Sequence, residues 1–133
     1  MEDYILKEIE RFGGVIQAIL SKIGILKNSG ANETVYTATK TELKEKLDID
    51  IETLLESENI VDFLAGEHGF TNNNLEQFAE LLFEMVNTSQ DEATRIKLSD
   101  NIKLIYKYLE EYAGQTSFKG YFILKELEVY NDL

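Results

Sequence analysis

Between Thr71 and Glu92 the chain reads TNNNLEQFAELLFEMVNTSQDE, and this stretch decides the fold. Leu75, Phe78, Ala79, Leu82, Met85 and Val86 recur at spacings of three and four, so a helix gathers them on one face. Thr71 and the asparagines behind it offer side-chain acceptors for the orphan amides of a helix start. NTSQDE supplies turn formers, and a second helical pattern follows over 92–113, with Leu98, Ile102, Ile105, Leu109 and Tyr112 as its stripe. A half-buried strand would alternate apolar and polar residues. No segment does so convincingly.

The same periodicity extends outward. Residues 1–27 read as a long amphipathic helix with Ile5, Ile9, Phe12, Ile16, Ile19 and Ile23 spaced four and three apart, a seam like that of a coiled coil. Gly13-Gly14 in its middle predicts either close approach of a neighbouring helix or a kink. The seam is expected to pack on its own domain. A homodimer through the same six residues is the competing arrangement. KNSGAN ends this helix, with Gly30 as the break and Asn32 as a cap.

Val35, Thr39, Leu43 and Leu47 predict a helix over 33–47, although TVYTAT taken alone has β propensity. In LDIDIETLLESEN, Asp50 and Ser57 read as caps of two short helices, which AGEHGF ends. GQTS breaks the long helix after Gly114, and a last helix runs from Phe118 to Tyr130. The expected fold is all-α: one domain, residues 1–133, of five to seven helices.

Charge is distributed unevenly. The net charge is −12. From Leu47 to Thr94 there are twelve Asp and Glu and no Lys or Arg, whereas outside that block 13 acids face 13 bases. A field of that sign repels nucleic-acid phosphates and anionic membranes, so neither direct nucleic-acid binding nor membrane association is expected. It would attract a basic protein. Within the block, Glu76, Glu80 and Glu84 are four apart on the polar side of the best-patterned helix. Like charges at that spacing repel, so either a basic partner or Lys103 and Lys107 on the following helix should compensate.

Catalytic chemistry has little to stand on. With no cysteine there is no disulfide, zinc–thiolate site or thiol nucleophile. Asp48, Asp50 and Glu52 mimic the first ligands of a calcium loop, but Thr53 replaces the turn glycine and Asn59 the closing bidentate Glu, so no metal is expected. His68, the only histidine, has no partner set for catalysis and reads as a solvated loop residue. No phosphate-binding, dinucleotide-binding or nucleophile-elbow motif occurs. No cofactor is expected. Tyr106, Tyr108 and Tyr112 cannot all face inward on one helix, so Tyr108 and Tyr112 are candidates for an exposed binding rim.

The stretch NNLEQFAELLFEMVNTSQDEATRIKLSDNIKLIYKYLEEYAG resembles a tetratricopeptide-like helical hairpin, helix, short turn and longer helix, and the likeness extends over 74–131. The small first-helix residue and the closing proline of that repeat are absent. There is no second copy at a period near 34 residues, so it is one degenerate unit. The whole chain is also similar to an uncharacterised family of small bacterial all-helical proteins, through DYILKEIERFGGVIQAIL, FAELLFEM and YLEEYAGQTSFKGYFILKEL. That resemblance implies a fold type and no catalytic residues. Because MEDYILKEIERF opens acidic and no run approaches the ~18 uncharged residues of a transmembrane helix, a cytoplasmic protein is expected.

The expected function is therefore a non-enzymatic protein–protein interaction module. Its first candidate surface is Glu76, Glu80 and Glu84 with Glu58 and Asp62, and its second is Tyr108 and Tyr112. An acidic regulator that mimics nucleic acid to occupy a basic protein is the first alternative, and a small helical ligand-binding protein or enzyme the second.

Overall fold

At Thr71 two hydrogen bonds cross. The Asn74 amide donates to the Thr71 hydroxyl and the Thr71 amide donates to the Asn74 side chain, each at 3.1 Å. This reciprocal cap satisfies donors that a helix start leaves orphaned. It begins the central helix of a computed structural model that describes residues 2–114 and 117–130. Side chains are described from residue 11 onward, those of 32 and 33 excepted.

In chain order the helices are α1 (Glu2–Asn28), α2 (Asn32–Leu47), α3 (Ile51–Glu56), α4 (Asn72–Thr88), α5 (Glu92–Tyr108) and α6 (Phe118–Glu126). A π-helical turn, Asp62–Glu67, lies between α3 and α4; a second, Leu109–Ala113, extends α5; a 3-10 turn, Leu127–Tyr130, extends α6. No strand occurs among the described residues, and none of their helices is long and apolar enough to cross a membrane.

Helix α4 is the hub. Leu75, Phe78, Ala79, Leu81, Leu82, Phe83, Met85 and Val86 are all buried, which is wider than one face. Such a helix must be covered on several sides. The three-residue link Ser89–Asp91 folds α5 back antiparallel against it, its most extensive packing, and α1, α2 and α6 cover the rest. Asp91 caps α5 through the Thr94 amide at 3.0 Å, and Arg95 Nε donates to the Ser89 carbonyl at 2.8 Å, closing the turn. An aromatic chain, Phe12 to Phe70 (5.4 Å) to Phe78 (5.6 Å), ties α1 to α4.

The α1 seam belongs to this core. Ile16, Ile19 and Ile23 are at most 3% exposed within one chain, so these three offer no surface to a second copy. The side chains of Ile5 and Ile9 lie outside the described residues. The packing does not demand glycine at Gly13-Gly14, because an added Cβ would meet at most ordinary van der Waals contact. A Cβ at Gly13 would stand 3.5 Å from Gln77 Oε1 and 3.6 Å from Asn74 Nδ2 on α4, while Gly14 faces open space and α1 runs on unbroken.

Three sequence expectations need correction. Asn32 is already inside α2; Ala31 holds the cap position, with no side-chain bond. Ser57 does not cap the turn after α3. Its hydroxyl donates back to the Leu54 carbonyl at 2.7 Å, and Asn59 instead accepts from the Val61 and Asp62 amides at 3.0 and 3.2 Å. Tyr112 leaves the Leu98–Leu109 stripe. The turn at Leu109–Ala113 winds more slowly than an α-helix, so Tyr112 lags out of the core line and is 74% exposed.

Two outcomes test this packing. Ile16→Glu should abolish cooperative unfolding in denaturant, because it buries a charge without a partner. Gly14→Ala should stabilise the chain by about 1 kcal/mol, the helix-propensity difference at an exposed interior site, which a thermal melt would register as a rise of about 4 °C.

Candidate functional site

Glu76, Glu80 and Glu84 do lie along one line of α4, but not on an exposed ridge. All three are half-buried. Glu80 and Glu84 form the floor of a cleft of about 390 Å³ between α1, α4 and α6, whose walls include Gln17, Ser21, Lys27 and Lys119. Lys27 reaches Glu84 at 2.9 Å and Lys119 reaches Glu80 at 3.6 Å. The compensating cations at these two sites thus come from α1 and α6 rather than from Lys103 and Lys107. Burial pushes the Glu80 carboxyl above the usual carboxylate range; Lys119 opposes this and the charge of Glu76 adds to it. Burial likewise raises the Tyr106 phenol, and Glu80 and Glu76 raise it further.

A second cleft, of about 300 Å³, joins residues that are distant in sequence. Asn59, Val61 and Asp62 line it from the start of the first π-helical turn, and Leu104, Lys107, Tyr108, Glu111 and Tyr112 from α5 and its extension. The Asn59 side chain, accepting two amides of that turn, fixes where Asp62 stands. Tyr108 and Tyr112 are four apart and stack with ring centroids 4.9 Å apart, tilted by 33°. Tyr108 is half-buried and anchors the pair, while Tyr112 and Leu104 are exposed. Asp62, Tyr108 and Tyr112 are therefore brought together. Glu58 is exposed but does not line this cleft.

The remaining acidic residues are tied to the frame. Asp48, in the left-handed backbone region, meets Lys44 at 3.2 Å. Asp50 caps α3 by accepting from the Glu52 and Thr53 amides. Glu52 pairs with Lys40, and Glu56 with Lys97 at 2.7 Å. The calcium-like spacing is thus taken up in helix capping and ion pairs. Among the described residues no three His, Asp or Glu converge as a metal site. His68 is half-buried and packs against the Phe63 ring at 5.0 Å, where a fully solvated side chain was expected.

One feature lay outside the sequence reading. Phe118, Tyr121, Phe122 and Val129 are 96%, 66%, 58% and 68% exposed on the outer side of α6 and its extension. Aromatics at helical spacing are usually core, so the spacing alone pointed inward. The signal that separates the faces is Gly120, Ile123 and Leu127, which are buried on the opposite side.

No protein family, curated protein or solved structure matches the chain.

The Glu80 environment has a measurable consequence. A carboxyl raised in the folded state contributes stability that is full below its unfolded value of 4.5 and is lost as pH rises through the folded value. Glu80→Gln should therefore gain thermal stability over the parent as pH rises from about 4.5 to neutrality. A difference between the two melting curves that does not grow with pH would contradict this account of Glu80.

Proposed function

We propose that the chain is a non-enzymatic protein-interaction module that takes a basic segment of a partner protein in the Asp62–Tyr108–Tyr112 cleft. The observation that carries this reading is the stacked tyrosine pair, exposed at Tyr112 and faced by a carboxylate held on a capped turn. A lysine or arginine side chain over an aromatic face gains cation–π attraction, and Asp62 and Glu111 supply countercharge beside it. Among the described lining residues, Asp62 and Glu111 outnumber Lys107 and leave the cleft net acidic. The surplus of acid on the chain favours approach of a positive partner over a negative one.

This reading moves the centre of the interaction away from Glu80 and Glu84, which lysines of the same chain already engage. In this reading the α4–α5 hairpin serves as the rigid scaffold, as a single tetratricopeptide-like unit would, with α1 and α2 packed on α4.

An arginine-rich peptide titrated calorimetrically against the full chain tests it. Binding should weaken as salt rises from about 50 to about 300 mM, as screened charge requires. Tyr112→Ala and Asp62→Lys should each cost at least about tenfold, ~1.4 kcal/mol, with unchanged melting temperatures because both residues are exposed. Equal affinity in Asp62→Lys would remove this cleft as the binding site.

A further inference from the structure

The wall that α5 and its extension give to the Tyr112 cleft carries its side chains in two columns. Leu104, Tyr108 and Tyr112 follow one another at four-residue steps, while Lys107 and Glu111 precede the two tyrosines by one residue each. Residues four apart on a helix have Cβ atoms about 5–6 Å apart. The tyrosine rings, 4.9 Å apart, show that the step is equally short here. The wall therefore presents a positive and a negative charge one turn apart, beside an apolar strip. Among the described residues no carboxylate pairs with Lys107, neither Asp62 across the cleft nor Glu111 along the same wall. All three charged side chains are exposed, so folding of the chain leaves each of them to the occupant of the cleft.

Resting on the proposed use of that cleft, we infer that the partner segment is charged in the complementary order: an arginine that stacks on Tyr112 and an acidic side chain close beside it that meets Lys107. Lys107 is then the residue that sets specificity. Arginine fits the first position because its planar guanidinium lies on an aromatic face and still directs N–H groups at carboxylates such as Asp62 and Glu111, whereas the ammonium of lysine is a point charge. In an extended segment, alternate side chains fall on one side about 6–7 Å apart. Arg-x-Glu or Arg-x-Asp thus matches one turn of the wall. The net charge of −12 by itself favours the opposite choice, since it draws a more basic segment more strongly. Local charge order and overall field therefore select different ligands.

Two peptides of equal length, identical except for an Arg-Gly-Glu or an Arg-Gly-Gln centre, separate these choices when titrated into the full chain and followed by NMR chemical shifts. At about 150 mM salt the Debye length of about 8 Å screens distant charges more than a contact pair. The Glu peptide should bind about threefold more tightly, the size of one exposed ion pair, although it is the less basic of the two. Lys107→Gln should erase the difference and Lys107→Glu should reverse it, with melting temperatures near the parent's because Lys107 is exposed. Exchanging the peptide arginine for lysine should weaken binding to the parent at least about threefold. Equal or tighter binding of the Gln peptide, lost in Asp62→Lys, would overturn the inference and leave the cleft as the site of a basic segment. A preference for the Glu peptide that survives Lys107→Gln would overturn it as well, and a lysine peptide as tight as the arginine one would overturn the choice of a guanidinium. Binding of neither peptide would overturn the use of the cleft itself.

Discussion

The structure depends on the burial of α4 on more than one side. A helix with a single apolar stripe is satisfied by a single neighbour. Helix α4 also buries Leu81 and Phe83 beyond the line of Leu75, Phe78, Leu82 and Met85. Two-sided burial requires covering helices on both sides, and the order of the chain follows from that demand. The short link to α5 covers one side, and α1 with α2 covers another. Gly13 of α1 lies over the start of α4, where a Cβ would meet Asn74 and Gln77 in ordinary van der Waals contact. Asn74 thus takes part both in the cap that begins α4 and in the contact that seats α1.

The ion pairs are organised around the same hub. The acidic block contains no cation, so its local countercharge has to come from helices that bracket it in sequence. Lys27 arrives from α1, Lys40 and Lys44 from α2, Lys97 from α5 and Lys119 from α6. Each is a partly exposed pair of modest energy. Their combined effect is on charge distribution: Glu80 and Glu84 are drawn into the frame, while Asp62 and Glu58 stay at the surface. This is why the acidic line along α4 is a poor docking ridge and the turn before α4 a better one.

Among the described residues, two exposed surfaces differ in kind. The Tyr112 cleft is concave, mixed in polarity and net acidic, which suits a charged side chain from another protein. The α6 face exposes Phe118, Tyr121, Phe122 and Val129 with Lys125 among them. Both owe their exposure to a departure from α-helical geometry or to a helix covered on one side only. The slow-winding turn at Leu109–Ala113 turns Tyr112 out, and α6 packs on the bundle through a thin line of Gly120 and Ile123.

How much was legible in the sequence follows from what each feature depends on. Helix identity, the caps at Asp50 and Thr71, and the breaks at Gly30 and Gly114 rest on contacts within a few residues, so local pattern determined them, whereas Asn32 and Ser57, read as caps on the same grounds, do not cap. The stripes Val35–Thr39–Leu43–Leu47 and Ile16–Ile19–Ile23 were readable for the same reason, since an amphipathic helix displays its buried face in its periodicity. Local pattern does not say what lies opposite a stripe. Whether Ile16 faced its own core or a second copy, which lysine met Glu80, and whether Phe118 or Ile123 was the buried side of α6 were decided by tertiary packing. Burial and ion pairing are properties of two surfaces at once, and a stretch of chain carries only one of them.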